Sequence, residues 1–226
     1  SDLLINYHKV RLILLNNTKK IDKRINYLDD NNINYITWGR CGKEAEDYSW
    51  IDEDIEYSNK LAIDHILKKG HKNIGYIDSD LKLNYSLLRK QCFIDSLKKN
   101  KVKINKKFFV NGYRDSRKKT VQNVKDLLVN NTDISVLLVS SHLFAMYVIE
   151  ACNQLNKKIG RDISLLSFDS NILSTMAPNI TVVSQPVKKT NEYFIKIINS
   201  KINNLSKNYN YLYKTKLVDN NSVISI

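Results

Sequence analysis

"LAIDHILKKGHKNIGYID", residues 61–78, decides how the rest of the chain is read. Ala62, Ile63, Ile66 and Leu67 recur at the spacing of one helical face, so the run predicts an amphipathic helix. Lys68 and Lys69 fall in its last turn, where cations complement the helix dipole. Gly70 stands where helices stop, because glycine enters the left-handed conformation cheaply. Ile74 to Ile77 then read as a buried strand. His65 falls on the helix and His71 beyond its cap, six residues on. A helical zinc pair needs two histidines four apart with a carboxylate between them, and this spacing does not supply it. His71 is read as a scaffold residue that ties the helix–strand turn by hydrogen bonding.

Outward from this unit the same alternation repeats. Strands are expected at 10–15, 34–39, 73–78, 108–112, 134–140, 163–169, 181–185 and 211–218. Helices are expected at 19–32, with Ile21, Ile25 and Leu28 on one face, and at 54–70, 85–100, 116–130, 143–156 and 187–203. Repeated strand–helix units predict an α/β fold with parallel sheets covered on both sides. Asp52, Glu53 and Asp54 form an acidic triplet, read as a solvated loop because neighbours on a strand or turn point different ways.

A chain of 226 residues, 42% hydrophobic, can bury a substantial core as one large domain or two small lobes. The formal charge of +13 suits a polyanion partner. The lysines are nevertheless scattered among many Asn, Tyr and Ile, a bias that an AT-rich genome produces as readily. No apolar run of eighteen residues is present, so no transmembrane helix is expected. The opening "SDLLINYHKVRLILLNN" has neither the basic start nor the cleavage site of a signal peptide. Cys41, Cys92 and Cys152 are odd in number and widely spaced, which suits reduced thiols in a cytoplasm. The six glycines form no GxGxxG or P-loop, and no GxSxG, HExxH or CxxC occurs. The chain therefore lacks the usual fingerprints of dinucleotide, NTP, nucleophilic or zinc chemistry. No catalytic residue, metal or cofactor is expected. Arg40, a lone arginine at a strand end, is read as structural rather than as a phosphate clamp.

Four tracts carry a resemblance: "INYITWGR", "WIDEDIEYSNKLAIDHILKKGHKNIGYI", "LLRKQCFIDSL" and "RDISLLSFDSNILSTMAPNITVVSQP". In this order and spacing they resemble the effector-binding core of the LacI/GalR transcriptional regulators, from about residue 10 onward. The resemblance implies two parallel-sheet lobes of the periplasmic sugar-binding-protein type, joined by crossovers near 69–73, 178–181 and 207–211, with a ligand in the cleft. One lobe is expected from residues 1–69 and 180–208, the other from 70–179 and 209–226. The family's helix-turn-helix head, its hinge helix and its first strand–helix–strand would precede residue 1. Departures from the family pattern are Ser141-His142 for Asn-Asp, Asn34 for Pro, Cys92 for Gly and Asn220 for Arg.

The resemblance also implies a ligand site. Arg89 matches a pocket arginine, whose planar fork suits paired hydroxyls or a carboxylate. Asp169 matches a carboxylate that accepts from hydroxyls, with helix capping as its alternative. Ser141 and His142 fall at the pocket loop by register, Asp54 near the hinge, Tyr113 near a stacking aromatic, and Gln185 as a weaker candidate. Trp50 reads more readily as packing.

Three readings follow. The first is the effector-binding and dimerisation region of a cytoplasmic, sugar-responsive regulator. Its partners would be a sugar or sugar derivative, a second copy of the chain, and operator DNA through a head outside these residues. The second is a solute-binding protein of a transport system, which would need an export signal upstream. The third is an enzyme, which lacks every signature sought above and is not expected.

Overall fold

The computed structural model describes residues 10–44, 46–78, 82–169 and 171–226. Its contacts divide the chain into two units, each assembled from separate segments.

The smaller unit draws on the chain up to Asp54, on Lys82–Tyr85 and on Val187–Tyr213. Its sheet holds β1 (Ile13–Asn16), β2 (Tyr35–Trp38), β3 (Ser49–Glu53) and β9 (Asn210–Tyr213), in the order β1-β2-β3-β9 and all parallel. Helix α1 (Lys23–Asp30) starts where the Asp22 carboxylate accepts the amide of Arg24, satisfying one of the free donors of the first turn. It packs Ile25 and Leu28 onto Tyr35, Tyr48 and Trp50. Helix α7 (Val187–Asn203) covers the other face, through Ile197, Tyr193 and Phe194 against Ile36, Ile51 and Tyr213.

The larger unit draws on Ile55–Leu81, Ser86–Pro186 and Lys214–Ile226. Its strands are β4 (Ile74–Asp78), β5 (Phe109–Asn111), β6 (Val136–Val139), β7 (Ser164–Asp169), β8 (Thr181–Ser184) and β10 (Lys216–Val218). They lie in the order β10-β8-β7-β6-β4-β5, parallel except for β10, which runs antiparallel to β8. Side chains alternate across a strand, so β6 serves two cores. Val136 and Leu138 meet Ile63, Ile66 and Phe93 of helices α2 (Ile55–Lys68) and α3 (Asn84–Lys99). Leu137 and Val139 meet Val124 and Val148 of helices α4 (Arg117–Asn130) and α5 (His142–Gln154). A short helix, α6 (Ile172–Met176), buries Leu173 in the second of these cores. Each fully buried Leu or Phe side chain contributes roughly 1.5–3 kcal/mol by leaving water.

The mixed α/β architecture with two parallel-sheet units is the one the sequence predicts. Several details differ. The units part at residues 54/55, 186/187 and 213/214, whereas the expected partings were 69/70, 179/180 and 208/209. Helix α2 belongs with the larger sheet because Ala62, Ile63 and Ile66 pack on Ile74 and Tyr76, and β8 belongs there because it pairs with β7. The expected strand 211–218 is two strands in different sheets. The acidic triplet is no solvated loop. Asp52 and Glu53 lie on β3, only 5% and 4% exposed. Ile21 precedes the α1 cap and is exposed rather than part of the helix face.

His71 stands where the sequence places it, beyond the α2 cap. Gly70 takes a φ of +93°, and a Cβ there would lie 2.5 Å from the Ile226 carbonyl oxygen. The His71 ring is fully buried. Its Nε2 lies 2.8 Å from the Ile224 carbonyl and 3.1 Å from Ser164 Oγ, and its Nδ1 lies 2.8 Å from Ser135 Oγ. A carbonyl only accepts, so Nε2 carries the proton and Nδ1 accepts from the Ser135 hydroxyl. Burial holds the ring's pKa below the ordinary histidine range.

Candidate functional site

Parallel strands bring their carboxyl ends to one edge of a sheet, and open α/β sheets bind ligands there. In the larger unit that edge carries Asp78 at the end of β4, Tyr113 beyond β5, Ser140 and Ser141 after β6, Asp169 at the end of β7 and Gln185 after β8. Ser135 and Ser164, the His71 partners, stand at the amino ends of β6 and β7. His71 therefore belongs to the opposite edge and takes no part in this site.

Helix α3 supplies the arginine. Ser86, Arg89, Phe93 and Leu97 follow one face of the helix, and all four are buried. Phe93 and Leu97 enter the core. Arg89, one to two turns nearer the helix start, lies among the strand ends at 5% exposure. Its Nη1 donates to the Ser140 carbonyl at 2.7 Å, and its guanidinium carbon lies 4.3 Å from the centre of the Phe168 ring. Cation and ring attract through the ring quadrupole, so the guanidinium plane is fixed before any ligand arrives. Beside it, the fully buried Asp78 pairs with Lys90 Nζ at 2.8 Å and accepts weakly from the Ser86 hydroxyl at 3.4 Å.

The other expected residues are placed as follows. Ser141 is the N-cap residue of α5, and its hydroxyl makes no capping bond. His142 opens α5 and lines, with Met146, Tyr147, Ile172 and Met176, an apolar groove of about 700 Å³. Tyr113 donates its amide to Thr120 Oγ1 at 2.8 Å and carries Lys119 Nζ 3.8 Å above its ring, so one face is already covered. It borders a polar hollow of about 340 Å³ with Asn111, Asn123 and Asp126. Gln185 is half-buried just past β8. The Asp169 backbone pairs opposite Ser184, and its side chain lies outside the described residues. Asp54 lies in the smaller unit, where its amide donates to Tyr213 O at 2.8 Å. The larger unit thus gathers Arg89, Ser141, Asp169 and Gln185 at adjacent strand ends. It sets His142 along the groove, and Tyr113 falls at the far strand.

One residue at a strand end escapes sequence reading, and a second, Arg40, plays the structural part expected of it. Asp78 ends an otherwise apolar strand, a polar residue at the carboxyl end of a buried run, and that was its signal. Arg40 follows β2 in the smaller unit. Its Nε donates to Asp52 Oδ2 at 2.8 Å, its amide reaches the same oxygen at 3.2 Å, and its guanidinium lies 5.2 Å from the Trp50 ring centre. Its carbonyl accepts from Thr18 Oγ1 at 2.8 Å and from the Asn84 side-chain amide at 2.9 Å. Burial raises the Asp52 carboxyl above its ordinary range, although Arg40 pulls the other way. The arginine is held through its Nε, its backbone and one face, while its side chain stays 33% exposed. Among the described residues no group of three His, Cys, Asp or Glu is placed to hold a metal, and no helix is long and apolar enough to cross a membrane.

The family described as "Periplasmic binding protein-like domain" matches residues 63–223. The HTH-type transcriptional regulator MalR of Clostridium butyricum is 27% identical over 180 residues, 79% of this chain and 53% of that protein. The chain spans about half the length of the curated relatives it matches. A LacI-type putative regulator from Bacillus cereus subsp. cytotoxis superposes with a TM-score of 0.88 at 20% identity, covering 96% of this chain and 78% of the other. A transcriptional regulator CelR–cellobiose complex superposes with a TM-score of 0.84 at 19% identity, covering 96% and 68%. The chain belongs to the periplasmic binding protein-like domain family and is similar to LacI-type regulators that carry this domain.

Proposed function

We propose that this chain is the effector-binding and dimerisation region of a cytoplasmic, sugar-responsive transcriptional regulator. The observation that carries the reading is Arg89, a buried guanidinium held by Ser140 and Phe168 at the carboxyl edge of a parallel sheet. A polyol needs donors and acceptors in a fixed pattern. Arg89, Ser141 and Gln185 supply donors, and Asp169 supplies an acceptor. Tyr113 offers its uncovered face. The effector is a small polyhydroxylated molecule. The complex that CelR forms with cellobiose puts disaccharides among the first compounds to try here. An effector acts by binding one conformation of the chain more tightly than another, and operator DNA is read by a helix-turn-helix head outside these residues. The chain performs no chemistry on its ligand.

Assembly is the second half of the proposal. Ile172 and Met176 are 47% and 63% exposed beside the apolar groove of Met146 and Tyr147. Exposed apolar clusters of this kind mark contact surfaces, and a second copy presenting the same groove would cover it across a two-fold axis.

The deciding experiment is a thermal-shift screen of the chain against mono- and disaccharides and their phosphates. A true effector at a hundred times its Kd stabilises by about 2.7 kcal/mol, and in Arg89→Ala the shift falls to about half or less. An undiminished shift in Arg89→Ala, or hydrolysis of the added sugar, would reject the reading.

A further inference from the structure

The segment "KKNKVKINKK", residues 98–107, holds six lysines and no acid. All six are exposed. Lys98 has Asp95 at 3.6 Å, and among the described residues Lys99, Lys101, Lys103, Lys106 and Lys107 have no ion-pair partner. Elsewhere lysines do find carboxylates: Lys43 with Asp29, Lys60 with Asp64, Lys90 with Asp78.

The segment is held in shape. The Lys101 amide donates to Lys98 O at 3.0 Å and the Val102 amide to Leu97 O at 2.9 Å, the bonding that closes a helix on a left-handed residue. Val102 and Ile104 pack against the α2/α3 core, so Lys101 and Lys103 alternate outward. Asn105 Oδ1 then accepts the Lys107 amide at 3.1 Å and starts the next turn. The result is a cationic ridge on a fixed backbone.

Codon bias does not account for it. Among the described residues nine have positive φ: Gly39, Gly70, Gly160, Asn17, Asn32, Asn156, Asn171, Asn221 and Lys101. Eight are the residue types that take this conformation cheaply. The ninth, at φ 56°, is the lysine inside the ridge. Asn and Lys codons are equally rich in A and T, so an AT-rich genome would supply the cheaper Asn as easily. The chain accepts backbone strain where it gains a charge.

We propose that residues 98–107 form a phosphate-tracking surface for duplex nucleic acid, independent of the effector site and of base sequence. Lysine ammoniums are flexible point charges suited to a phosphate row, and the segment has none of the arginine forks that match carboxylates. Phe108 is buried, and Phe109 packs 6.0 and 5.7 Å from Tyr76 and Phe93. No aromatic face of the ridge is left for stacking bases, which single strands require.

The test is fluorescence anisotropy of the 226-residue chain with a labelled 20-base-pair duplex of arbitrary sequence, across a salt series. The ridge variant K101N/K103Q/K106Q/K107Q is compared with K23Q/K72Q/K118Q/K188Q, which removes the same charge from scattered exposed sites. Each phosphate contact adds about −0.9 to the slope of log affinity against log salt. The ridge variant should flatten that slope by about 3 and weaken binding at low salt at least tenfold, while the scattered variant keeps the slope within about 1. Lys101→Asn alone should raise Tm, which separates loss of binding from loss of fold. Equal losses in the two variants, absence of duplex binding by the unaltered chain, tighter binding of a single strand, or a fall in Tm for Lys101→Asn would each overturn the proposal. Displacement of the duplex by polyglutamate at equal or lower charge concentration would do so too, and would assign the ridge to an acidic protein.

Discussion

The imidazole of His71 and the carbonyl of Ile224 are joined by a 2.8 Å hydrogen bond that spans 153 residues of sequence. It fastens residues 222–226 to the amino edge of the larger sheet, together with bonds from Leu165 N to Ser222 O and from Ile226 N to Lys69 O.

Burial of the same ring, acting against that bond, makes stability depend on pH. Burial depresses the pKa of His71, and it depresses that of His65 despite Asp219 at 3.7 Å. A depressed histidine takes up its proton more readily when unfolded. The stabilisation is therefore complete above the ordinary value of 6.5 and is lost as pH falls below it. Thermal unfolding should give a flat Tm from about pH 7 to 8 and a declining one from about 6.5 to 5. His71→Gln should cost about 1–3 kcal/mol at neutral pH and should show a shallower decline. An unchanged slope would place the acid sensitivity elsewhere.

Gly70→Ala tests the same fastening from the backbone side. Its φ of +93° and the 2.5 Å approach of a Cβ to Ile226 O leave no room for a side chain. The variant should lose about 2 kcal/mol or more, read from urea midpoints at constant m-value. A loss under about 0.5 kcal/mol would mean that residues 222–226 detach at little cost.

Arg89→Ala should weaken effector binding by about 1.5–3 kcal/mol, the range for charge-assisted hydrogen bonds. It should also lower stability, because the Ser140 carbonyl and the Phe168 ring both lose their partner. Arg89→Lys keeps the charge but not the planar fork, so calorimetry should find it closer to Ala than to the unaltered chain.

Met176→Asp places a charge on the most exposed apolar residue of the α6 groove, 63% open in the isolated chain. Sedimentation should show a dimer for the unaltered chain and a monomer for this variant, with Tm nearly unchanged. A monomer in both would remove the groove from the assembly.

Periodicity alone made most of this fold legible, because α2, Gly70 and β4 are local choices that agree with the global packing. β3 was hidden for a tertiary reason. "SWIDE" ends in carboxylates, and the arginine that makes Asp52 tolerable in the interior comes from the end of β2. β9 and β10 merged in the sequence because nothing in "YLYKTKLV" marks a change of partner, and their partners β3 and β8 lie far away along the chain. At the site, Arg89 was recognisable only by likeness to a family. Its role as a guanidinium stacked on Phe168 depends on helix α3 and strand β7 meeting, which no local pattern encodes.

The interleaving of segments also bears on how this chain is made. The smaller sheet receives β9 from residues 210–213 and the larger receives β10 from 216–218, while every other strand among the described residues lies before residue 185. A nascent chain therefore emerges with two unfinished sheets whose bare edges are open to other strands. Both acquire their missing strands within a few residues of translation, so the two units mature together instead of in sequence, and a stop codon anywhere before residue 210 spoils both at once.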